Sequence, residues 1–482
     1  MTLQDRPTKP ATPADLLHQL RDAVRDGLPP AIADLSTLVR IPSVSWDGFD
    51  PSHVQASAEE VSRLLSALDV FDTVLIDRVE IPGTDGVHGQ PAVFARRAAR
   101  NGKPTILLYA HHDVQPPGAE DEWQTPPFEP TVIGDRLYGR GAADDKAGVI
   151  AHVAAIRALT AVTGEPDLGI AVFIEGEEEF GSRSFAALLA KHRDLLSADV
   201  IVVADSDNWD ISTPSLTVGL RGNAAFTLTV STLDHASHSG MFGGAAPDAM
   251  LAAVRLLATL HDDDGSVAVE GMHAHDQVVP AVDEARFRED AALLDGVHSI
   301  GRGEILHRLW AQPAITITGI DAPSVQNASN TLLPRVSVKI SARVAPGQDA
   351  AEAFEALKAH LEAHAPFGAH LAFSNVDCGN PFLVDTTGWA VDEALTAMHE
   401  AWGVAPRLVG VGGSIPFIAE LNDTFPEAHV LVTGVEDPDT RAHSPNESLH
   451  LGVLHRAILT EAVLLARLGG AVTIAAASSR GE

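Results

Sequence analysis

Cysteine is almost absent from this sequence. Its 482 residues include one, Cys378, so no disulfide can form within the chain. A chain without disulfides fits a reducing compartment, and residues 2–9 are polar and show no apolar signal region. We therefore expect a cytoplasmic protein.

Basic residues and long apolar runs are also scarce. There are 33 Lys and Arg against 65 Asp and Glu, which gives a formal net charge of −32. Because nucleic acids and anionic membranes bind basic surfaces, we expect neither as a partner. No uninterrupted apolar stretch approaches the roughly 18 residues of a membrane-spanning helix. With 45% hydrophobic residues the chain can still fill sizeable cores, and its length favours two domains.

A change of pattern divides the chain. Strand and helix signals alternate up to about residue 216, which predicts an α/β fold with a mainly parallel sheet. Residues 226–231 and 336–344 then alternate between apolar and polar, as half-exposed strands do. The α/β pattern returns near the end of the chain. We expect one domain over 1–216 and 383–482, with an α+β domain inserted at 217–382.

Three short apolar runs end in acidic residues or a histidine. Residues 105–110, 169–174 and 200–204 lead into His111, into the acidic segment 175–179 and into Asp205. Such runs are typical of buried parallel strands. Open α/β sheets bind ligands beyond the carboxyl ends of their strands. The sequence therefore predicts a ligand site at one edge of a sheet.

Five acidic and histidine positions form the predicted site: His111, Asp144, Glu179, Asp205 and His443. Taken singly, each has a plainer explanation, such as a helix N-cap for Asp144 or a solvated acidic turn around Glu179. Together these explanations weaken, because the predicted topology brings all five towards one edge of one sheet. Mixed carboxylate and imidazole ligands suit zinc, or manganese or cobalt. Two such ions about 3.5–4 Å apart can share a carboxylate and a water.

Asp113 stands two residues after the candidate ligand His111. On an extended chain, residues i and i+2 point the same way, so Asp113 is placed to accept a hydrogen bond from the His111 ring. Carboxylates commonly orient metal-binding histidines in this manner. A structural His–Asp pair at the end of a loop is the alternative.

The ordered motifs resemble those of the M20 metallopeptidases, the group of dipeptidases, carnosinases and glutamate carboxypeptidases. The resemblance extends from residues 41–45 through the glycine-rich segment 138–148 and the acidic segment 175–182 to Asn446 and Glu447. Several separate motifs in the same order make it specific at the level of the family. It implies a zinc-peptidase-like α/β catalytic domain with an inserted α+β lid and dimerisation domain, and therefore a homodimer formed through the lid.

The resemblance also implies a role for each residue of the site. Asp144 would bridge two Zn²⁺ ions, with Mn²⁺ or Co²⁺ as alternatives. His111 and Asp205 would complete the ligands of one ion, and Glu179 and His443 those of the other. Glu178 would be the general base that takes a proton from the shared water, and Asp113 would orient His111. A cis peptide bond between Asp144 and Asp145 is expected, and the family spacing favours Asp205 over Asp207 as ligand.

In the inserted domain, the resemblance indicates one catalytic residue and several substrate contacts. His238 would reach the active site of the partner subunit and stabilise the developing oxyanion. The residues expected to contact substrate are Asn330, Thr331, Arg343, Gly413 and Ser414. Arg343 would pair with a substrate carboxylate. The alternatives are a polar loop histidine for His238 and a surface strand arginine for Arg343.

The chain departs from the family in two places. Gly410 and Val411 stand where Arg-Glu is frequent, and Gly388 and Trp389 stand where carnosinase-like members have His-Pro. The resemblance therefore does not predict carnosine-like specificity.

We predict a di-zinc hydrolase that cleaves the amide bond of dipeptides or short peptides. One alternative is an amidase of the same family that acts on N-acyl amino acids or succinylated diamines. The other is a non-catalytic metal-binding or peptide-binding protein, which the general base Glu178 beside Glu179 argues against. A purely structural zinc site is weaker still, because such sites are usually closed and often rich in cysteine.

Overall fold

The computed structural model describes residues 13–277, 279–384, 386–412 and 416–470. These residues form two compact units. The first lies within Met1–Thr217, Asp385–Leu408 and Glu420–Glu482, and the second within Val218–Val384 and Val409–Ala419. Each unit is described in turn.

The strands are, in chain order, β1 (Thr73–Asp77), β2 (Ala92–Arg97), β3 (Thr105–His111), β4 (Thr131–Ile133), β5 (Arg136–Tyr138), β6 (Gly169–Glu175), β7 (Val200–Val203), β8 (Ser215–Leu220), β9 (Gly222–Ser231), β10 (Ser237–His238), β11 (Ala314–Asp321), β12 (Thr331–Leu332), β13 (Arg335–Val344), β14 (His370–Gly379), β15 (Phe382–Leu383), β16 (Arg407–Val411), β17 (His429–Val432) and β18 (Ser448–His450).

The helices are α1 (Pro13–Val39), α2 (Pro51–Ser66), α3 (Lys146–Thr163), α4 (Phe185–Lys191), α5 (Arg193–Leu196), α6 (Ser239–Phe242), α7 (Ala249–Leu257), α8 (Glu284–Asp290), α9 (Ile305–Trp310), α10 (Ala350–Ala363), α11 (Trp389–Trp402), α12 (Pro416–Thr424) and α13 (Leu451–Leu468). A short 3₁₀ turn, Glu178–Phe180, follows β6.

The first unit is built on a mixed sheet in the order β1-β2-β6-β3-β7-β17-β8. The central pairs, β6–β3, β3–β7 and β7–β17, are parallel. The outer pairs, β1–β2, β2–β6 and β17–β8, are antiparallel. The predicted α/β class is confirmed, although the sheet is parallel only at its centre. Two parallel neighbouring strands need a long crossover connection, usually a helix. The described chain between β1 and β2 contains no helix, which fits their antiparallel pairing.

The centre of this sheet is fully covered. Every residue of β3, β6 and β7 is buried, as expected for parallel strands with helices on the faces of the sheet. Helix α3 packs between α1 and α13. Within the described residues, it is the one helix long and apolar enough to cross a membrane, and 72% of it is buried inside the protein. A helix buried in a protein core can have the same length and the same apolar composition as a membrane span.

The second unit contains a four-stranded antiparallel sheet in the order β11-β13-β9-β14. Alternate residues of β9 and β13 are buried, because one face of the sheet packs against α7 and α10. Asp349 caps α10 by accepting the main-chain N–H groups of Ala351 and Glu352. This is the α+β insert that the sequence predicted.

Residues 409–419 group with the second unit, whereas the sequence analysis placed them in the first domain. Close contacts with the second unit explain the difference. Nε of Arg221 donates to the carbonyl of Gly412 at 3.0 Å. A Cβ atom at position 410 would lie 2.8 Å from the side chain of Trp310. Glycine at this position therefore lets the backbone approach the indole, which gives a physical reason for one of the two departures from the family pattern.

Candidate metal centre

Three neighbouring strands of the first unit deliver polar side chains at their carboxyl ends. Strand β3 ends at His111, β6 ends just before the turn Glu178–Phe180, and Asp205 follows β7. The apolar residues before these positions are buried because the sheet is covered on both faces. Since the three strands are parallel and adjacent, their ends meet at one edge of the sheet.

The five candidate ligands lie in two groups that share Asp144. His111, Asp144 and Asp205 form one group and Asp144, Glu179 and His443 the other, and within each group the ligand atoms lie within 4.8 Å of one another. Nε2 of His111 is 3.1 Å from Oδ1 of Asp144, and Nε2 of His443 is 2.9 Å from Oδ2. The two oxygens of one carboxylate thus face different histidines, as a carboxylate between two cations requires.

Asp205 rather than Asp207 belongs to these groups among the described residues. Asp205 lies two residues after the end of β7 and is half-buried, whereas Asp207 is exposed. Asp207 lies in a parallel β-bridge with Glu436. The geometry thus groups Asp205 with His111 and Asp144, and its role as a metal ligand stays a prediction.

Burial and charge act strongly on the ionisation of these groups. Burial raises the pKa of Glu179 to about 7 and that of Asp205 to about 6. Burial also acts to raise the pKa of Asp144, but hydrogen bonds and charges from His111 and His443 hold it well below its usual range. Hydrogen bonds to Asp144 and Glu179 raise the pKa of His443 to about 11. A buried acidic cluster of this kind is stabilised by cations, and its oxygen and imidazole donors suit zinc, manganese or cobalt.

The N-cap alternative for Asp144 is wrong. Helix α3 begins at Lys146, its N-cap position is Asp145, and no side-chain hydrogen bond is made there. The carboxylate of Asp144 instead faces the histidines. The peptide bond between Asp144 and Asp145 is cis, as the resemblance implied. Oδ2 of Asp145 accepts the main-chain N–H of His111 at 3.1 Å, which ties the loop to the end of β3.

Asp113 contacts both the histidine and the glutamate turn. Nδ1 of His111 is 3.1 Å from the main-chain carbonyl of Asp113 and 3.4 Å from its Oδ1. The carboxylate mainly serves the turn, because Oδ1 accepts the N–H of Glu178 and Oδ2 that of Glu179, both at 3.1 Å. Oδ2 also accepts the hydroxyl of Ser45 at 2.6 Å. One buried carboxylate thus fixes the positions of two consecutive glutamates.

The two glutamates of the turn differ in their surroundings. Oε2 of Glu179 is 3.2 Å from Nε2 of His443, within its ligand group. Oε2 of Glu178 is 4.0 Å from Nε2 of His111, and its side chain is 20% exposed. Burial raises the pKa of Glu178 well above its usual value. Glu178 is thus adjacent to the candidate ligands but belongs to neither group, which leaves its carboxylate available for proton transfer.

Two further contacts hold Glu179, and the sequence analysis did not identify them. Nε2 of Gln115 donates to Oε2 of Glu179 at 2.6 Å. Nε1 of Trp46 donates to the main-chain carbonyl of Glu179 at 3.1 Å, and the indole lies 5.0 Å from the ring of Phe180. Trp46 follows the motif at residues 41–45, and Gln115 lies two positions after Asp113. The spacing of a sequence gives no sign, however, that a distant glutamine or indole will contact a given glutamate.

The remaining predicted residues lie in the second unit. His238 pairs with Thr331 between β10 and β12, and the carbonyl of Asn330 accepts the N–H of Ser239 at 2.9 Å. His238 is exposed, and its Nδ1 accepts the N–H of Gly240 at 3.1 Å, so the proton of a neutral ring is on Nε2. Arg343, on β13, is half-buried. Gly413 and Ser414 lie outside the described residues.

Known proteins resemble this chain over most of its length. The model of peptidase family M20/M25/M40 matches residues 107–467. Cysteinylglycine-S-conjugate dipeptidase of Corynebacterium striatum is 36% identical over 371 residues, which cover 76% of this chain and 81% of that protein. Cys-Gly metallodipeptidase dug1 of Schizosaccharomyces pombe is 29% identical over 457 residues, 91% of this chain and 94% of that protein. The crystal structure of human carnosine dipeptidase 1 matches with a TM-score of 0.76 at 25% identity, and the match covers 94% of this chain and 99% of that one.

Proposed function

This chain belongs to peptidase family M20/M25/M40, and from this membership we propose that it is a dipeptidase that holds two zinc ions and uses Glu178 as its general base. The observation that carries the proposal is the sharing of Asp144 between two three-residue groups of metal-ligand type. His111 and Asp205 are assigned with Asp144 to one ion, and Glu179 and His443 with Asp144 to the other.

The donor set supports this assignment. His111, Asp144 and Glu179 are buried, Asp205 is half-buried and His443 is exposed. Carboxylates and imidazoles are protein ligands of catalytic zinc, and manganese and cobalt also accept them. When bound, two such ions polarise a carbonyl group and lower the pKa of a water molecule. Chemistry of that kind needs a separate group to move the proton, because the ligands are engaged with the metal.

Glu178 is the residue assigned to that proton transfer. Its carboxylate lies beside the site without belonging to either ligand group. Burial raises its pKa, which increases its affinity for the proton that a base must accept. Glu178 takes a proton from the attacking water and later gives it to the leaving amine. Asp113 maintains the geometry through the main-chain N–H groups of Glu178 and Glu179.

We assign the residues of the second unit from the family resemblance. His238 is the oxyanion donor, contributed by the partner subunit of a homodimer, and an Nε2–H on its exposed ring suits the role. Arg343 pairs with the substrate carboxylate, Asn330 and Thr331 contact the substrate, and Gly413 and Ser414 contact its backbone. A cytoplasmic location is part of the same proposal.

Dipeptides with a free amino group are the proposed substrates. Two of the relatives are named for cysteinylglycine and its S-conjugates, so we propose Cys-Gly and S-substituted Cys-Gly as the first substrates to test. An amidase acting on N-acyl amino acids would use the same ligands and base, and would differ in whether the substrate amine must be free.

A substrate panel tests the proposal. Metal-free enzyme is reconstituted with zinc, manganese or cobalt and assayed on dipeptides, including Cys-Gly, and on their N-acylated counterparts. We expect cleavage of the free dipeptides that returns on adding metal and is lost again with chelator. Cleavage of the acylated set alone would show an amidase. Absence of hydrolysis on both sets, with two ions bound per chain, would contradict a catalytic role.

A further inference from the structure

Glu447 lies at the end of the last sequence motif, and none of the roles assigned above includes it. Its side chain is fully buried in the first unit. Oε1 accepts the main-chain N–H groups of Ala143 at 3.0 Å and of Asp144 at 3.2 Å. Oε2 accepts the N–H of Gly141 at 3.0 Å and Nη1 of Arg140 at 2.6 Å. One carboxylate thus contacts most of the loop that carries Asp144.

That loop has no regular structure to hold it. Residues 139–145 form turns between β5 and α3. Buried N–H groups outside helices and sheets need other acceptors, and leaving one unpaired destabilises the folded protein. Gly141 has φ +79, and a Cβ atom there would lie 2.4 Å from the side chain of Val114. The backbone is therefore packed tightly against its surroundings, and Glu447 supplies acceptors for three of its N–H groups.

The position of Glu447 is unfavourable for its charge. It adds another buried carboxylate near the acidic groups of the metal centre, in contact with the main-chain N–H of Asp144. The guanidinium of Arg140 offsets this charge, and that side chain is 1% exposed. A neutral acceptor would avoid the repulsion, but one amide oxygen cannot replace two carboxylate oxygens that together accept four hydrogen bonds.

We propose that Glu447 is a positioning residue for the reaction. It holds the loop so that one carboxylate oxygen of Asp144 faces His111 and the other faces His443. This inference rests on the proposed function, since it concerns the carboxylate assigned to both ions. Glu447 belongs to neither ligand group among the described residues. It acts through the main chain of residues 141–144, and its loss should therefore appear first as weaker metal binding.

The test compares Glu447→Gln with a matched control, Glu393→Gln. Glu393 is also a buried glutamate of the first unit, and its Oε2 accepts Nε of Arg467 at 2.5 Å, far along the chain from the metal residues. We expect both substitutions to lower thermal stability. Glu447→Gln alone should weaken binding of zinc, measured by chelator competition, by about 10- to 100-fold. Its kcat should recover in excess zinc while KM stays near that of the unchanged enzyme.

Equal zinc affinity in the two variants, with both folded, would overturn the positioning role. If Glu447→Gln does not fold, Glu447→Asp replaces it. Aspartate keeps the charge and is one methylene shorter, so it should reach fewer of the N–H groups and bind zinc more weakly than the unchanged enzyme. Unchanged affinity in that variant would also overturn the proposal. An unchanged enzyme that fails to bind two ions per chain would overturn the proposed function, and this inference with it.

Discussion

At the scale of single residues, two consecutive glutamates are given different tasks by their surroundings. Glu179 lies in a ligand group with His443 and is held by Gln115. Glu178, one position earlier, lies beside His111 and remains partly open to solvent. Neighbouring residues of a 3₁₀ turn project in different directions. The Asp113 carboxylate holds the N–H groups of both, so a single fixed turn can present the proposed ligand and the proposed base.

Replacing Glu178 should separate these tasks. In Glu178→Gln the amide keeps the size of the side chain but cannot accept a proton. We expect two ions per chain by metal analysis and a fall in kcat of about 10²- to 10⁴-fold, the usual contribution of a general base. Glu179→Gln is the matched comparison and should lose bound metal instead. Full turnover in Glu178→Gln would exclude the proposed mechanism.

At the scale of the elements, a buried ion pair joins α3 to α13. Nδ1 of His152 is 2.8 Å from Oε2 of Glu461, and its Nε2 is 3.0 Å from the carbonyl of Tyr109. Both neighbours can accept a hydrogen bond, so they favour the doubly protonated form of the ring. Burial alone would lower the pKa of His152, but the charge and hydrogen bond of Glu461 raise it overall. The two helices are therefore joined by a contact that depends on protonation.

The pH dependence of this contact has a definite sign. A histidine whose pKa is raised in the folded state stabilises fully below its unfolded pKa, and loses that contribution as pH rises through the folded pKa. We expect Glu461→Gln to lower the free energy of unfolding by about 3–5 kcal/mol in mildly acidic solution, the usual cost of breaking a buried pair. The difference from the unchanged protein should shrink in alkaline solution.

Urea unfolding of metal-loaded protein at several pH values measures this difference. Glu393→Gln is again the control, because it breaks a pair with Arg467, and arginine stays charged across the range. Its effect should be nearly independent of pH. A Glu461→Gln effect that stays constant, or grows as pH rises, would show that His152 is not protonated in the folded protein.

The same scale shows how much of the protein the sequence could predict. Residues 105–110, 169–174 and 200–204 are identified as buried strands because a covered parallel strand has no polar face. The polar residues that follow them mark the sheet edge. The contacts of Gln115 and Glu447 were not predicted, because a hydrogen bond between two distant segments produces no repeating pattern in the sequence. The unit to which residues 409–419 belong depends on the contacts of Trp310 and Arg221, and spacing does not encode such contacts.

At the scale of the whole molecule, the proposed catalytic groups belong to two units. Glu178 and all five candidate ligands lie in the first, and His238 lies in the second. The resemblance assigns His238 to the active site of the partner subunit, so a complete site would need two chains. Closed C₂ dimers are the commonest homo-oligomers, and each such dimer would contain two identical shared sites.

Mixed dimers test this assignment directly. Glu178→Ala and His238→Ala chains, carrying different tags, are co-expressed and the heterodimer is isolated. If His238 acts in the partner's site, one of the two sites has an intact Glu178 and an intact His238, and the heterodimer should show about half of the wild-type activity. Each variant homodimer should be nearly inactive. If His238 acts within its own chain, neither site of the heterodimer is complete.

The reverse combination gives the opposite result. A heterodimer of the unchanged chain with the Glu178→Ala, His238→Ala double variant carries the same number of substitutions. If His238 acts across subunits, the site with the intact Glu178 receives no His238 from its partner, and the other site lacks Glu178. Both sites are then incomplete, and activity should be nearly lost. For action within one chain, the unchanged subunit is complete, and about half of the activity should remain. Activity in this second heterodimer and not in the first would therefore refute the shared site, and a protein that sediments as a monomer while fully active would refute it as well.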